Sequence, residues 1–104
     1  MLFVQQKGAR RVVSALRVLG VLVHGEADTL EVADKLRTDT RLVLGWLNMA
    51  ADDGYILECG MVRTTETGAG GKAKVWRIAP AGVALLTEAK AAAQKATALH
   101  RDSP

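Results

Sequence analysis

The sequence predicts a mainly α-helical domain that carries one small antiparallel β-hairpin. Three observations point to that class. Apolar residues recur at helical spacing in four separate stretches between residues 9 and 99. From residue 55 to residue 78 the pattern changes to runs of strand formers with partial alternation. Between those runs lies a segment so rich in glycine and threonine that it reads only as a turn.

Composition sets the frame for these elements. A chain of 104 residues fits one compact domain, and 49% hydrophobic with 24% charged residues is a globular balance. Aromatics make up only 4%, so the core must be built from Val, Leu, Ile and Ala. A core of that size is marginal alone, and a second chain is a natural way to bury more surface.

Residues 9–23 read as the first helix. Arg10, Ser14 and Arg17 share one narrow polar stripe, while Val12, Val13, Leu16, Leu19 and Val23 cover most of the remaining surface. That distribution predicts burial on more than one side. His24-Gly25 supplies the stop. A second, short helix starts near Thr29, which reads as its own cap, with Asp28 before it and Glu31 in the first turn. Leu30, Ala33 and Leu36 supply its inward face, and it ends around Leu36-Arg37. Thr38 or Asp39 then caps a third helix that runs to Asp53 before Gly54, with Val43, Trp46, Leu47 and Ala50 turned inward. Two helices joined by so short a turn, over residues 29–54, outline a helix-turn-helix.

Residues 55–78 read as the β-hairpin. Tyr55 to Val62 is rich in strand formers, although Gly60 interrupts it, and Lys74 to Ile78 alternates as a strand with one buried face does. Gly68, Gly70 and Gly71 lie in the tip. Pro80 suits the first turn of a final alanine-rich helix over residues 80–99. Within it Leu85, Ala89, Ala92, Ala96 and Leu99 follow each other at alternating four- and three-residue steps. A seam with small residues at its centre lets another helix come close. The expected occupant is the same helix of a second copy, and the chain's own first helix is the other candidate.

Enzymatic constellations are hard to find. The two histidines, His24 and His100, stand apart, and Cys59 is the single cysteine. There is no His-x-x-x-His or Cys-x-x-Cys pair, and a metal held by His24 and Cys59 would be two ligands short. Gly68-Ala-Gly70-Gly71-Lys72 looks superficially like a phosphate loop but lacks the following hydroxyl and helix. No catalytic site and no cofactor is expected. The apolar run Val18 to Val23 is far too short to span a bilayer, no secretory leader is visible, and a cytoplasmic location without a membrane partner is the simplest expectation.

Charge is distributed unevenly. Residues 26–58 hold eight acids and three bases, a net −5, whereas the rest of the chain carries a net +8. A nucleic-acid surface would have to tolerate Asp52 and Asp53 at the end of the third helix.

Taken together, Thr38-Asp-Thr-Arg-Leu-Val43, the segment Leu47 to Ile56, the glycine-containing hairpin and Arg77-Ile-Ala-Pro-Ala-Gly-Val-Ala-Leu-Leu86 resemble winged helix-turn-helix regulators of the bacterial MarR and PadR type, over roughly residues 9–87. The resemblance implies binding of double-stranded DNA by a homodimeric transcriptional regulator, with the third helix in the major groove. Outward positions on that helix would be Thr40, Arg41, Leu44, Gly45 and Asn48. Arg41 suits guanine, Asn48 suits adenine, and Leu44 suits a thymine methyl, while Gly45 permits close approach. Thr38 and Thr40 are expected on phosphate oxygens, aided by the helix dipole. Arg63, Lys72 and Lys74 of the wing would follow the DNA backbone or minor groove. The other reading is a protein-interaction module of the same fold without DNA binding, which the apolar Leu44 and the acidic middle block suit.

Overall fold

Helix, strand, helix, helix, strand, strand, helix is the order of elements along the chain. A computed structural model describes the backbone of residues 2–63 and 72–101 and the side chains of residues 10–61 and 73–95. The elements are α1 (Leu2–Leu22), β1 (Ala27–Asp28), α2 (Thr29–Leu36), α3 (Thr40–Asp52), β2 (Ile56–Arg63), β3 (Lys72–Ile78) and α4 (Pro80–Arg101). The mainly helical class with a small antiparallel sheet agrees with the expectation. The glycine-rich tip with Gly68, Gly70 and Gly71 lies outside the described residues.

Several details differ from the expectation. Helix α1 begins seven residues early, at Leu2 rather than residue 9. Leu2 to Lys7 contains nothing that breaks a helix, and Gly8 is tolerated within one. The sheet has three strands in the order β1-β3-β2, not two. Strand β1 is only two residues long, too short for any periodicity, and it pairs Ala27 with Trp76 and Asp28 with Val75. Asp28, not Thr29, caps α2. Its carboxylate accepts the Glu31 N–H at 2.8 Å while Glu31 accepts the Asp28 N–H at 3.2 Å, a reciprocal capping box. Gly60 interrupts β2 as a bulge between Glu58 and Gly60, with a φ of 118° that glycine adopts without strain.

The core lies where α1, α2 and α3 meet the inner face of the sheet. Val18, Leu19 and Leu22 of α1, Val32 of α2, Val43 and Leu47 of α3, Ile56 and Trp76 are fully buried. Each such side chain contributes about 1.5–3 kcal/mol relative to exposure. In α2 the buried residues are Thr29, Val32 and Ala33, whereas Leu30 and Leu36, expected inward, are half-buried. At 100° per residue the face toward the core is turned by about 50° from the expected one, and Ala33 belongs to both. Trp76, the largest fully buried side chain, donates its indole N–H to Thr29 Oγ at 2.9 Å. Thr29 Oγ–H donates in turn to the Lys74 carbonyl at 3.3 Å, so the polar atoms inside this junction are paired.

Helix α1 is not covered all round. Val13 stays 51% exposed, opposite the buried Ala15, Val18, Leu19 and Leu22. Helix α4 starts against the core at Gly82, where a Cβ would collide with the Tyr55 carbonyl and approach Leu19 Cδ2 to 2.8 Å and Ile78 Cγ1 to 2.9 Å. The close approach explains why glycine follows Pro80-Ala81 in this helix start.

Candidate nucleic-acid interface

Helix α3 is positioned by its two ends and two flanks. Asp39 caps its start, accepting the Arg41 N–H at 2.8 Å. At its end, Gly54 takes a φ of 81° and the chain turns into β2. Val43, Leu47 and Ala50 are buried. At 100° per residue these three share one face, and Arg41, Gly45, Asn48 and Asp52 share the opposite one, each set within about 60°. All four of the latter are exposed, as is Thr40. Around Gly45 the surface is open, with nothing near the position of a Cβ. The outward placement expected for Thr40, Arg41, Gly45 and Asn48 is what the helix presents.

Leu44 is a correction. It is half-buried and packs against the core instead of projecting outward. The reason is that Leu44 lies on a flank of α3 that packs against the core. Leu42 is the exposed aliphatic of this helix, at 51%. Trp46, expected inward, packs against the core while staying half-buried, and carries the Arg17 guanidinium 5.2 Å above its ring.

The acidic end of α3 is partly neutralised. Arg11 Nε donates to Asp53 Oδ2 at 2.7 Å, joining α1 to the residue that caps α3. The hydrogen bond to Asp53, with its negative charge, raises the pKa of the Arg11 guanidinium above arginine's ordinary value. An open groove of about 280 Å³ runs beside this bridge, lined by Arg10, Arg11, Ser14 and Met49. The helix start is also already served: the Asp39 carboxylate takes one first-turn amide and offsets the dipole that Thr38 and Thr40 were expected to exploit.

In the wing, Lys74 is held within the sheet face. Its ammonium lies 3.7 Å from Glu58 Oε2 and 5.7 Å from the Trp76 ring centroid. Arg63 and Lys72 pair in the β2–β3 register, and their side chains lie outside the described residues. Arg77, opposite Leu57, is exposed. Along the seam of α4, Leu85 is half-buried against the core, Ala89 is half-buried and Ala92 is exposed, while the side chains of Ala96 and Leu99 lie outside the described residues. Among the described residues no group of three or more His, Cys, Asp or Glu is placed to hold a metal ion, and no helix is long and apolar enough to cross a membrane.

No protein-family model matches the sequence, and no curated protein matches it. Solved structures do resemble it. A MarR family transcription regulator superposes with a TM-score of 0.69 at 16% identity, over 99% of this chain and 70% of that one. The chain has the winged-helix fold. A PadR family transcription regulator from Clostridium difficile shares this winged helix with a TM-score of 0.67 at 14% identity, over 85% of this chain and 94% of that one. Lactococcus lactis ZitR, in a structure of a variant in complex with DNA, superposes with a TM-score of 0.59 at 16% identity. The match covers 86% of this winged-helix chain but only 57% of the ZitR chain.

The sequence does not announce the exposure of Leu42 or the pairing of Arg11, a basic residue at the start of the expected first helix, with Asp53. Leu42 and Leu44 stand on opposite flanks of the same helix, and only the packing of neighbours decides which is covered. Arg11 and Asp53 are 42 residues apart, and no local pattern joins them.

Proposed function

We propose that this chain is a DNA-binding transcription regulator that acts as a homodimer on a pseudo-palindromic site. The observation that carries the reading is the exposed stripe Arg41–Gly45–Asn48, in which neither polar side chain is engaged by another group among the described residues. A helix of roughly 10–12 Å diameter fits the major groove. Arg41 would take guanine O6 and N7, Asn48 would take adenine, and Gly45 would allow close approach between them. Leu42 replaces Leu44 as the side chain available to a thymine methyl. Thr38 and Thr40 remain candidates for phosphate oxygens, and Arg63, Lys72 and Lys74 for backbone contacts from the wing. The likeness to transcription regulators of the MarR and PadR type supports this reading.

Dimerisation would place two copies of α3 about one DNA turn apart. The half of α4 beyond Ala89 is exposed from Lys90 to Lys95 within the single chain, which leaves Ala92 of the proposed seam Leu85, Ala89, Ala92, Ala96 and Leu99 open to a second copy, while Leu85 packs on the chain's own core. Light scattering after size-exclusion should give twice the chain mass. The Ala92→Asp variant should give a folded monomer, because Ala92 is exposed in the chain itself.

Fluorescence anisotropy with a labelled duplex of random sequence tests DNA binding. Affinity should fall steeply as salt is raised, with a slope set by the number of phosphate contacts. Arg41→Ala should reduce discrimination among selected sites. The exposed Leu42 also suits a protein partner. Absence of binding at low salt would support that second reading and reject the first.

A further inference from the structure

Arg37 ends α2 with φ and ψ both at 51°, and it is the one residue other than glycine with positive φ among the described residues. Its N–H donates to the Asp34 carbonyl at 3.1 Å and the next N–H, of Thr38, donates to the Ala33 carbonyl at 3.0 Å. Glycine is the usual residue at such a helix end, because every side chain with a Cβ resists this left-handed conformation. Arginine adds nothing to the termination that glycine would not do at less cost. What it adds is a cation on a long stem, held in the turn just before α3.

That cation is exposed and uncommitted. Asp34 lies three residues before it and Asp39 two residues after, yet neither carboxylate comes within salt-bridge distance of Arg37. Arg37 is also only four residues from Arg41, a span of at most about 14 Å along the chain. At the start of α3 the Asp39 carboxylate already takes the Arg41 N–H and sets a negative charge beside the remaining amides, which makes them a poorer phosphate site than Arg37.

We propose that Arg37 is a phosphate-binding residue, which the turn of the helix-turn-helix holds against the DNA backbone beside the groove that α3 enters. This rests on the DNA-binding reading above and deepens it. A backbone strain kept for the sake of a side chain predicts that stability and binding move in opposite directions when the side chain is removed.

Arg37→Gly tests this. The melting temperature should stay level or rise. Affinity for random duplex DNA near 0.1 M salt should fall by roughly five- to tenfold, and the slope of log affinity against log salt should shrink by about 0.9, the equivalent of one phosphate contact. Arg37→Lys, with the same charge and the same backbone penalty, should keep the slope. Unchanged affinity in Arg37→Gly while the native chain binds and Arg41→Ala is impaired would overturn the assignment alone. So would a loss of affinity without a change of slope, or an Arg37→Lys variant that behaves like Arg37→Gly. A native chain that binds no duplex at low salt overturns both this assignment and the reading beneath it.

Discussion

Arg11 Nε lies 2.7 Å from Asp53 Oδ2, so the first helix is tied by charge to the residue that closes the third. Both side chains are partly open to solvent, at 42% and 32% exposure, so the pair contributes little to stability. Its effect on binding is electrostatic. Without Arg11, Asp53 stands beside Asp52 as a second uncompensated negative charge at the end of α3. Arg11→Ala should therefore weaken binding to all duplexes alike with little change in melting temperature, and adding Asp53→Asn should restore most of the affinity. Anisotropy titrations on the two variants check this, and a loss that Asp53→Asn does not repair would reject it.

The hydrogen bond from the Trp76 indole to Thr29 makes a second expectation. Thr29→Ala leaves a buried indole N–H with no acceptor, which costs about 1–3 kcal/mol. Thr29→Ser keeps the oxygen and should lose less. Chemical denaturation of both variants separates the lost hydrogen bond from the lost methyl group.

Gly82 concerns packing alone. Its Cβ would meet the Tyr55 carbonyl, Leu19 and Ile78 together, and a backbone carbonyl cannot swing aside as the end of a side chain can. Gly82→Ala should destabilise by about 1–3 kcal/mol, as overpacking does. A thermal melt equal to that of the native chain would show that the start of α4 shifts freely against Tyr55, Leu19 and Ile78.

Gly45 is the opposite case. Nothing lies near its absent Cβ, and it sits inside a helix, where alanine is favoured by about 0.5–1 kcal/mol. Gly45→Ala should raise stability by that amount. On the proposed DNA face it should lower affinity, because the added methyl group stands between Arg41 and Asn48. A variant more stable and equally tight in binding would mean that α3 does not approach its partner closely at Gly45.

Much of the fold was legible in local pattern. Val43, Leu47 and Ala50 announce which side of α3 is inward, and Arg41, Gly45 and Asn48 follow as outward by helical phase. Gly54 and Pro80 mark boundaries through backbone chemistry that needs no distant partner. Strand β1 was not legible, because two residues have no period. Nor was the role of Thr29, which looks like a cap in the sequence but serves Trp76, 47 residues away.

Local order of elements, the inward stripe of α3 and the glycine stops are properties of neighbouring residues, so the chain of letters settles them before any packing occurs. Which leucine of α3 stays in water, which acid Arg11 neutralises and whether Lys74 is free are decided by residues far along the chain. Those outcomes depend on distances of a few ångströms between separate elements, which exist only once the core has closed around Trp76.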